Sequence, residues 1–345
     1  MSPTPVLTGR AVSLGAYASG LPSATDFAVV DVPVAAVPAP GTVLVRNRYF
    51  RVSAATRMMI SGDPEPVAGV PYPPLRIGEF LRGAALGEVV AVAPGSSLSV
   101  GDTVTHYLGW RDYAMAPEKS CTAVDSDVDP AAALSAGATA YAALTRGGSV
   151  QAGDTVLVTA GASAIGSIAG QLARLLGAGR VIATTSGADK ARRLVDELGY
   201  DAAIVRKSAV PLAHQLAAAA PDGIDVLVDN VGGDQLAMAV DAARPHARFV
   251  LMGSLAGQLA ESGAGRRAPA VIDTAVLPTR SVTLRGYSAD DDPDVVAQWH
   301  ERSRTWLDAG LLTLPHHLIH GLEKAPQALV DAIGGDQIGA VIVAT

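Results

Sequence analysis

The sequence predicts an α/β protein in which a doubly wound parallel sheet is joined to a β-rich unit, and three observations predict it. From Gln151 onward, short apolar runs alternate with amphipathic stretches, the mark of a parallel sheet covered by helices. One of those runs opens through a turn of small residues into a helical pattern. The first third of the chain instead shows short strand-like segments broken at close spacing by Gly and Pro.

Taken in order, Thr42 to Asn47, Gly83 to Ala93 and Asp102 to Tyr107 read as strands of the β-rich unit. After about Pro130 the segment AAALSAGATAYAAL reads as an Ala-rich helix leading into the second unit. There follow six short strands, Thr155 to Thr159, Val181 to Thr184, Ala203 to Val205, Val226 to Asp229, Arg248 to Met252 and Val282 to Leu284. Beyond Pro293 another helix is expected, and then a turn-rich, β-like tail ending in IGAVIVAT that folds back onto the first unit. The expected division is 1–130 with 305–345 for the β-rich unit and 131–304 for the parallel-sheet unit. No internal repeat or low-complexity linker is visible.

A chain of 345 residues with 49% hydrophobic and 17% charged residues can bury a large core in two units. A net charge of -7 without any basic block gives no footprint for nucleic acid or an anionic membrane, which leaves small-molecule chemistry. MSPTPVLTGR lacks the basic start and apolar core of a signal peptide, and no stretch has the length to span a bilayer, so a cytoplasmic protein is expected. Cys121 is the single cysteine, which excludes an internal disulfide and a thiolate-rich zinc site; it reads as a half-buried small residue.

The segment DTVLVTAGASAIGSIAGQLARLLGAGRVIATT carries the most information. A buried strand enters a turn containing Gly161, Ala162, Ser163, Ala164, Ile165 and Gly166, and a helix follows with Ile165, Ile168, Leu172 and Leu175 on one face. Small residues there let helix N-terminal amides approach a pyrophosphate, where the helix dipole favours negative charge. The turn is not a strict GxGxxG, since Ser163 stands where glycine is usual. An NAD-specific site places an acid after the second strand to bind the ribose hydroxyls. This strand ends instead in Thr184, Thr185 and Ser186, and Lys190 and Arg206 follow, a pair suited to an extra phosphate and therefore to NADP(H). The alternative for Lys190 and Arg206 is solvated surface charge. Asn230, in an Asn-Val-Gly-Gly turn after the fourth strand, lies where open α/β sheets bind ligands, its alternative being a turn that uses Asn for left-handed geometry.

VRNRYFRVSAATR, IGEFLRGAALGEVV, GDTVTHYLGWRDYA, AGATAYAAL, DGIDVLVDNVGGD, RFVLMGS and GLEKAPQAL with GGDQIGAVIV extend this evidence over nearly the whole chain. With them the sequence resembles the leukotriene/prostaglandin reductase and alkenal double-bond reductase branch of the zinc-free medium-chain dehydrogenase/reductases, including curcumin-reductase-like proteins. The resemblance implies a GroES-like β domain made from both chain ends, a Rossmann domain between them, and a homodimer through the Rossmann sheet edge. It further implies that NADPH is held by the fingerprint turn, Lys190, Arg206, Asn230, Gly253, Ser254, Tyr287 and Gln337. Arg206 stands where relatives usually have Tyr, and Gln337 where they have Asn.

Zinc alcohol dehydrogenases of the superfamily carry Gly-His-Glu where this chain has IGEF, and no thiolates accompany it, so no catalytic zinc is expected. His316, His317 and His320 have no acidic or thiolate companion and read as surface or packed histidines. Without a metal to polarise a ketone, hydride addition is easiest at the β-carbon of an α,β-unsaturated aldehyde or ketone, whose developing charge delocalises as an enolate. Catalysis then rests on positioning and oxyanion stabilisation, with a tyrosine or water as proton donor. Relatives commonly carry Asp-Pro-Tyr-Met-Arg where this chain reads Ser53-Ala54-Ala55-Thr56-Arg57, so Ala55 replaces their substrate-side Tyr. Tyr107 and Tyr287 are the candidate donors, with Tyr49 and Tyr113 read as structural. The competing readings are a quinone reductase and a non-catalytic NADPH-binding sensor. A short-chain dehydrogenase is disfavoured because Tyr200 and Tyr287 are followed four positions later by Ile204 and Asp291, not Lys.

Overall fold

The structure, a computed structural model, describes residues 5–18, 20–62, 73–260, 267–288 and 292–345. Its strands are β1 (Val6–Leu14), β2 (Phe27–Ala35), β3 (Thr42–Val52), β4 (Ala85–Val92), β5 (Thr103–His106), β6 (Tyr113–Pro117), β7 (Thr122–Val124), β8 (Thr155–Val158), β9 (Arg180–Thr185), β10 (Ala202–Val205), β11 (Ile224–Asp229), β12 (Ala243–Leu251), β13 (Thr283–Gly286), β14 (His316–His320) and β15 (Ala340–Ala344).

Six of them form a parallel sheet in the order β10-β9-β8-β11-β12-β13. Each coincides with a run read from the sequence. Such runs are continuous because helices cover both faces: Val156, Leu157, Val158, Val226, Leu227 and Val228 are all fully buried. The order reverses between β8 and β11, which opens a crevice at the C-terminal ends of those two strands.

A second sheet has the order β14-β15-β3-β4-β5-β7, with β6 also paired to β3. β15 lies antiparallel to β3 and parallel to β14, so the chain's last strand sits inside a sheet built mostly from its first third. The β1–β2 pair, absent from the sequence reading, forms a separate two-stranded antiparallel sheet. In β3, Asn47 donates to the carbonyls of Leu108 and Arg111 and meets His106 Nε2 at 2.9 Å. Leu108 N donates to His106 Nδ1, which fixes the imidazole proton on Nε2 and satisfies this buried polar group inside the sheet.

Two local expectations need correction. The Ala-rich segment is not one helix: it divides into Pro130–Ala133 and Gly137–Ala142, followed by a π-type turn over Ala143–Gly147. The break falls at Ser135, whose hydroxyl accepts from Gly137 N. Gly137 is pressed against Trp299, with a Cβ there placed 1.8 Å from the indole, so tertiary packing overrides helix propensity. In the tail, Ala325–Gly334 is a helix where only turns and strands were expected; Ala325, Ala328, Leu329 and Ile333 are buried along one side of it. The helix Pro293–Asp308 packs Trp299 and Trp306 around Tyr141 and runs through residue 304, where the sequence places the change of unit.

Candidate active site

β8 enters its turn with a sharp bend. Ala160 has φ +52, a left-handed conformation that costs a non-glycine residue about 1 kcal/mol or more. Surrounding bonds hold it: Ala160 N donates to Thr184 Oγ1 at 2.9 Å, Gly161 N to the Thr184 carbonyl at 2.8 Å, and Ser163 N to the Ala160 carbonyl at 2.9 Å. The helix then runs Gly166–Leu175. Gly166 is obligatory, because a Cβ there would lie 2.3 Å from the Ala160 carbonyl oxygen and 2.6 Å from Gly161 Cα. Ile168 and Leu172 are buried and Ile165 and Leu175 half-buried against the core of the parallel sheet, which fixes the helix axis. Ser163 does not leave a gap where glycine is usual: its Oγ accepts from the amide of Gly166, the first residue of the helix, at 3.0 Å. Ala162 and Ala164 complete this small-residue cradle.

At the switch point β8 and β11 are joined by side chains. Thr159 Oγ1 donates to Asp229 Oδ1 at 2.7 Å and accepts from Asn230 N at 2.8 Å, while Asn230 Nδ2 donates to the Thr159 carbonyl at 2.9 Å. Asn230 is therefore held by its amide nitrogen, and its Oδ1 is buried with no partner. It is not used for a left-handed turn, since the positive φ values belong to Gly232 and Gly233. Gly253 follows β12 where a Cβ would sit 2.9 Å from the Asn230 carbonyl oxygen, and Ser254 is the N-cap of the short helix Leu255–Gln258.

The ends of β9 and β10 gather the basic residues. Lys190 Nζ donates to Ser186 Oγ at 3.1 Å and to the Gly335 carbonyl. Burial pushes Lys190 below the ordinary lysine range, Asp336 opposes this, and Lys207 and Arg206 add to it. Lys190, Ser186 and Arg206 thus share one neighbourhood, together with Lys207, which the sequence reading did not name. Gln337 lies in the loop after Gly335, with its Oε1 buried and without a partner.

Tyr287 stands at the opposite end of the crevice. Its amide donates to the Leu251 carbonyl at 3.2 Å, Arg285 lies 5.1 Å over its ring, and its hydroxyl meets Asp292 Oδ2 at 3.4 Å. Arg146 pairs with Asp292 at 3.5 Å. Desolvation and then Asp292 raise the Tyr287 phenol above the ordinary tyrosine range. Tyr107 follows β5 and is 45% exposed, on a different sheet. Tyr113 lies over Gly9, and Tyr49 packs beside Leu86 and Ile342, both structural placements. Ala55 is half-buried and leads the turn Thr56–Met59; beside it Arg57 donates to the Gly20 carbonyl at 2.6 Å.

Two buried hydroxyls have no partner: Ser167 Oγ in the first turn of the fingerprint helix, which the sequence did not single out, and Thr185 Oγ1 at the end of β9, which it named without a role. A buried polar atom without a partner costs about 1–3 kcal/mol, a cost that a bound water or ligand offsets. Their signal was a polar residue at a fully buried position beside the fingerprint. A groove of about 250 Å³ against β1, β2 and β6, lined by Gly9, Phe80, Arg111 and Met115, contains none of these residues. His316 and His320 share the exposed face of β14 and His317 the other, and no group of three or more His, Cys, Asp or Glu suited to a metal occurs among the described residues.

A family profile described as zinc-binding dehydrogenase matches residues 164–301, and one described as the N-terminal domain of oxidoreductase matches residues 10–124. A putative NADP-dependent oxidoreductase, YfmJ, of Bacillus subtilis is 30% identical over 337 residues, covering 96% of each chain. The chain belongs to the medium-chain dehydrogenase/reductase family. Within this family it falls on the curcumin and alkenal reductase branch. The NADPH-dependent curcumin reductase of Escherichia coli is 28% identical over 94% of this chain and 93% of its own. The structure of CurA from Vibrio vulnificus in complex with NADPH has a TM-score of 0.87 at 29% identity, covering 97% of this chain and 99% of that one. Both sheets of the present chain thus belong to the medium-chain fold. No helix among its described residues is long and apolar enough to cross a membrane.

Proposed function

We propose that this medium-chain family member is an NADPH-dependent reductase of the carbon-carbon double bond of α,β-unsaturated aldehydes or ketones. The observation that carries the reading is the set of unpartnered buried polar atoms around the crevice, Asn230 Oδ1, Ser167 Oγ, Thr185 Oγ1 and Gln337 Oε1, beside a turn whose glycines leave room for no Cβ. These residues fit a dinucleotide. Ala164 and Ile165 present amides to its pyrophosphate between Ser163 and Gly166, whose own amides are taken by the Ala160 carbonyl and Ser163 Oγ and shape the turn; Ser186, Lys190 and Arg206 face its 2′-phosphate, and Asn230, Gly253, Ser254 and Tyr287 line the nicotinamide end. When bound, NADPH supplies the hydride.

The chain's own residues bind, orient and protonate. The Asn230 side chain, clamped by Thr159, cannot rotate freely, so its unpartnered oxygen is fixed before a ligand arrives. Tyr287, a phenol kept protonated and hydrogen-bonded to Asp292, is the nearer of the two candidate proton donors to the β12 and β13 ends; Tyr107 is the second. Ala55, where relatives carry Tyr, leaves space on the substrate side for bulkier or cyclic enones. A homodimer through the free edge of β13 and the division of the chain at 130/131 and 304/305 belong to the same reading.

The test is oxidation of NADPH with an alkenal, a cyclic enone, a benzylidene ketone and a quinone, with products identified. Saturated carbonyl products, with NADH much the poorer donor, are expected. Quinol as the only product would replace the reading with a quinone reductase, and tight NADPH binding without turnover by any acceptor would make the protein a sensor. In an Ala55→Tyr variant the preference should move from cyclic enones to small alkenals, and unchanged selectivity would refute the role of Ala55.

A further inference from the structure

The loop that joins helix Ala325–Gly334 to β15 touches the cofactor side of the crevice at two points. At one end Lys190 Nζ donates to the Gly335 carbonyl while also donating to Ser186 Oγ. At the other, Gly339 N donates to the Ala162 carbonyl of the fingerprint turn at 2.9 Å. Gln337 lies midway, and its Oε1 is buried without a partner. Both anchors have fixed backbones: Gly335 ends the helix at φ +72, and Gly339 has φ +89 with its Cα so close to Pro315 that a Cβ would sit 1.9 Å from the carbonyl oxygen. A loop pinned at both ends has little freedom at its centre.

We propose that Lys190 is a positioning residue for Gln337: its ammonium latches the 335–339 loop onto the cofactor side and so presents the Gln337 amide to the dinucleotide. The proposal rests on the dinucleotide reading above. An ammonium has three donors. Two are engaged by Ser186 and Gly335, which leaves the third for a 2′-phosphate, so latch and phosphate contact coexist. A lysine that served the phosphate alone would have no effect on NADH, which has no 2′-phosphate. A latch affects both cofactors.

The experiment measures NADH and NADPH dissociation constants by direct titration of wild type, Lys190→Met, Lys190→Arg, Gln337→Leu and the Lys190→Met/Gln337→Leu double variant. Hydrogen exchange of the cofactor-free proteins is followed in parallel. Lys190→Met should weaken NADH about fivefold, the size of one net neutral hydrogen bond, and NADPH considerably more. Lys190→Arg should restore NADH binding, and the double variant should bind NADH no more weakly than Gln337→Leu alone. Exchange at residues 335–339 should rise in Lys190→Met without cofactor. NADH affinity and loop exchange both unchanged in Lys190→Met, or losses that add in the double variant, would overturn the proposal. Failure of the wild-type protein to bind either nucleotide would overturn the dinucleotide reading itself, an outcome distinct from wild-type binding that is insensitive to Lys190.

Discussion

Replacing Gly166 by Ala is the most direct test of the fingerprint turn. The new Cβ would lie 2.3 Å from the Ala160 carbonyl oxygen, 2.6 Å from Gly161 Cα and 2.9 Å from Gly161 C, all backbone atoms that no rotamer change can move away. Restoring an ordinary contact requires the Ala160–Gly161 peptide and the helix N-terminus to separate by about 1 Å, on the scale at which core overpacking costs ~1–3 kcal/mol. Alanine's better helix propensity returns at most about 1 kcal/mol, so a small net loss of stability is expected. Binding suffers more. In the proposed reading the Ala164 and Ile165 amides of this turn meet a charged ligand, and each charge-assisted hydrogen bond is worth about 1.5–3 kcal/mol. Loss of one such bond predicts an NADPH dissociation constant raised about 10–100-fold. Fluorescence titration with NADPH, alongside a thermal melt of the free protein, separates the two effects. An affinity within about twofold of wild type in a folded Gly166→Ala protein would refute the assignment of the pyrophosphate to this turn.

The other predictions concern the proton donor, the cofactor helix and the β-rich sheet. Tyr287→Phe keeps the ring beneath Arg285 and should lower kcat about a hundredfold with little change in NADPH affinity; an unchanged kcat would pass the role to Tyr107 or water. Gly170→Ala would set a Cβ 2.2 Å from the Tyr200 ring and break that hydroxyl's 2.6 Å bond to the Gly166 carbonyl, so it should destabilise by about 2 kcal/mol, and a melting temperature at or above wild type would refute this packing. Burial, with help from Arg111, pushes His106 down to about 4, so folding keeps it neutral where the unfolded chain is protonated. Its contribution is intact above about pH 6.5 and lost as the pH falls towards 4, which predicts about 2 kcal/mol less stability at pH 5 than at pH 7. Urea unfolding should show this slope reduced in His106→Gln, and equal slopes would refute it.

The parallel sheet was legible because its strands are buried on both faces, which writes them as continuous apolar runs. The β1–β2 pair was not: β2 carries Asp31 and Pro33 and exposes alternate residues, so its pattern resembles a loop. The break in the Ala-rich segment was illegible for another reason. Gly137 is fixed by Trp299, a partner distant in sequence, and no local rule anticipates that contact. At the site, the glycines and Lys190 could be named because their chemistry is local to a motif. No role could be given there to Ser167 or Thr185, because a hydroxyl becomes a site only when burial removes its other partners.

The position of β15 explains why the crevice and the fold are completed together. Ile342 and Val343 are fully buried, and the strand is hydrogen-bonded to β3 on one side and β14 on the other, so the β-rich sheet lacks an interior strand until the chain's last residues arrive. Such distant pairing costs loop-closure entropy before any contact is gained. The intervening six-stranded sheet shortens the loop that must be closed, because it holds its own core and brings its two chain ends towards each other. The same returning segment then places Gly339 on Ala162 and Gly335 on Lys190. Attachment of the tail to the β-rich sheet and placement of the 335–339 loop against the small-residue turn are therefore one structural event, and in the proposed reading this is the physical reason for building a cofactor site from a strand-to-helix turn and a loop almost at the far end of the chain.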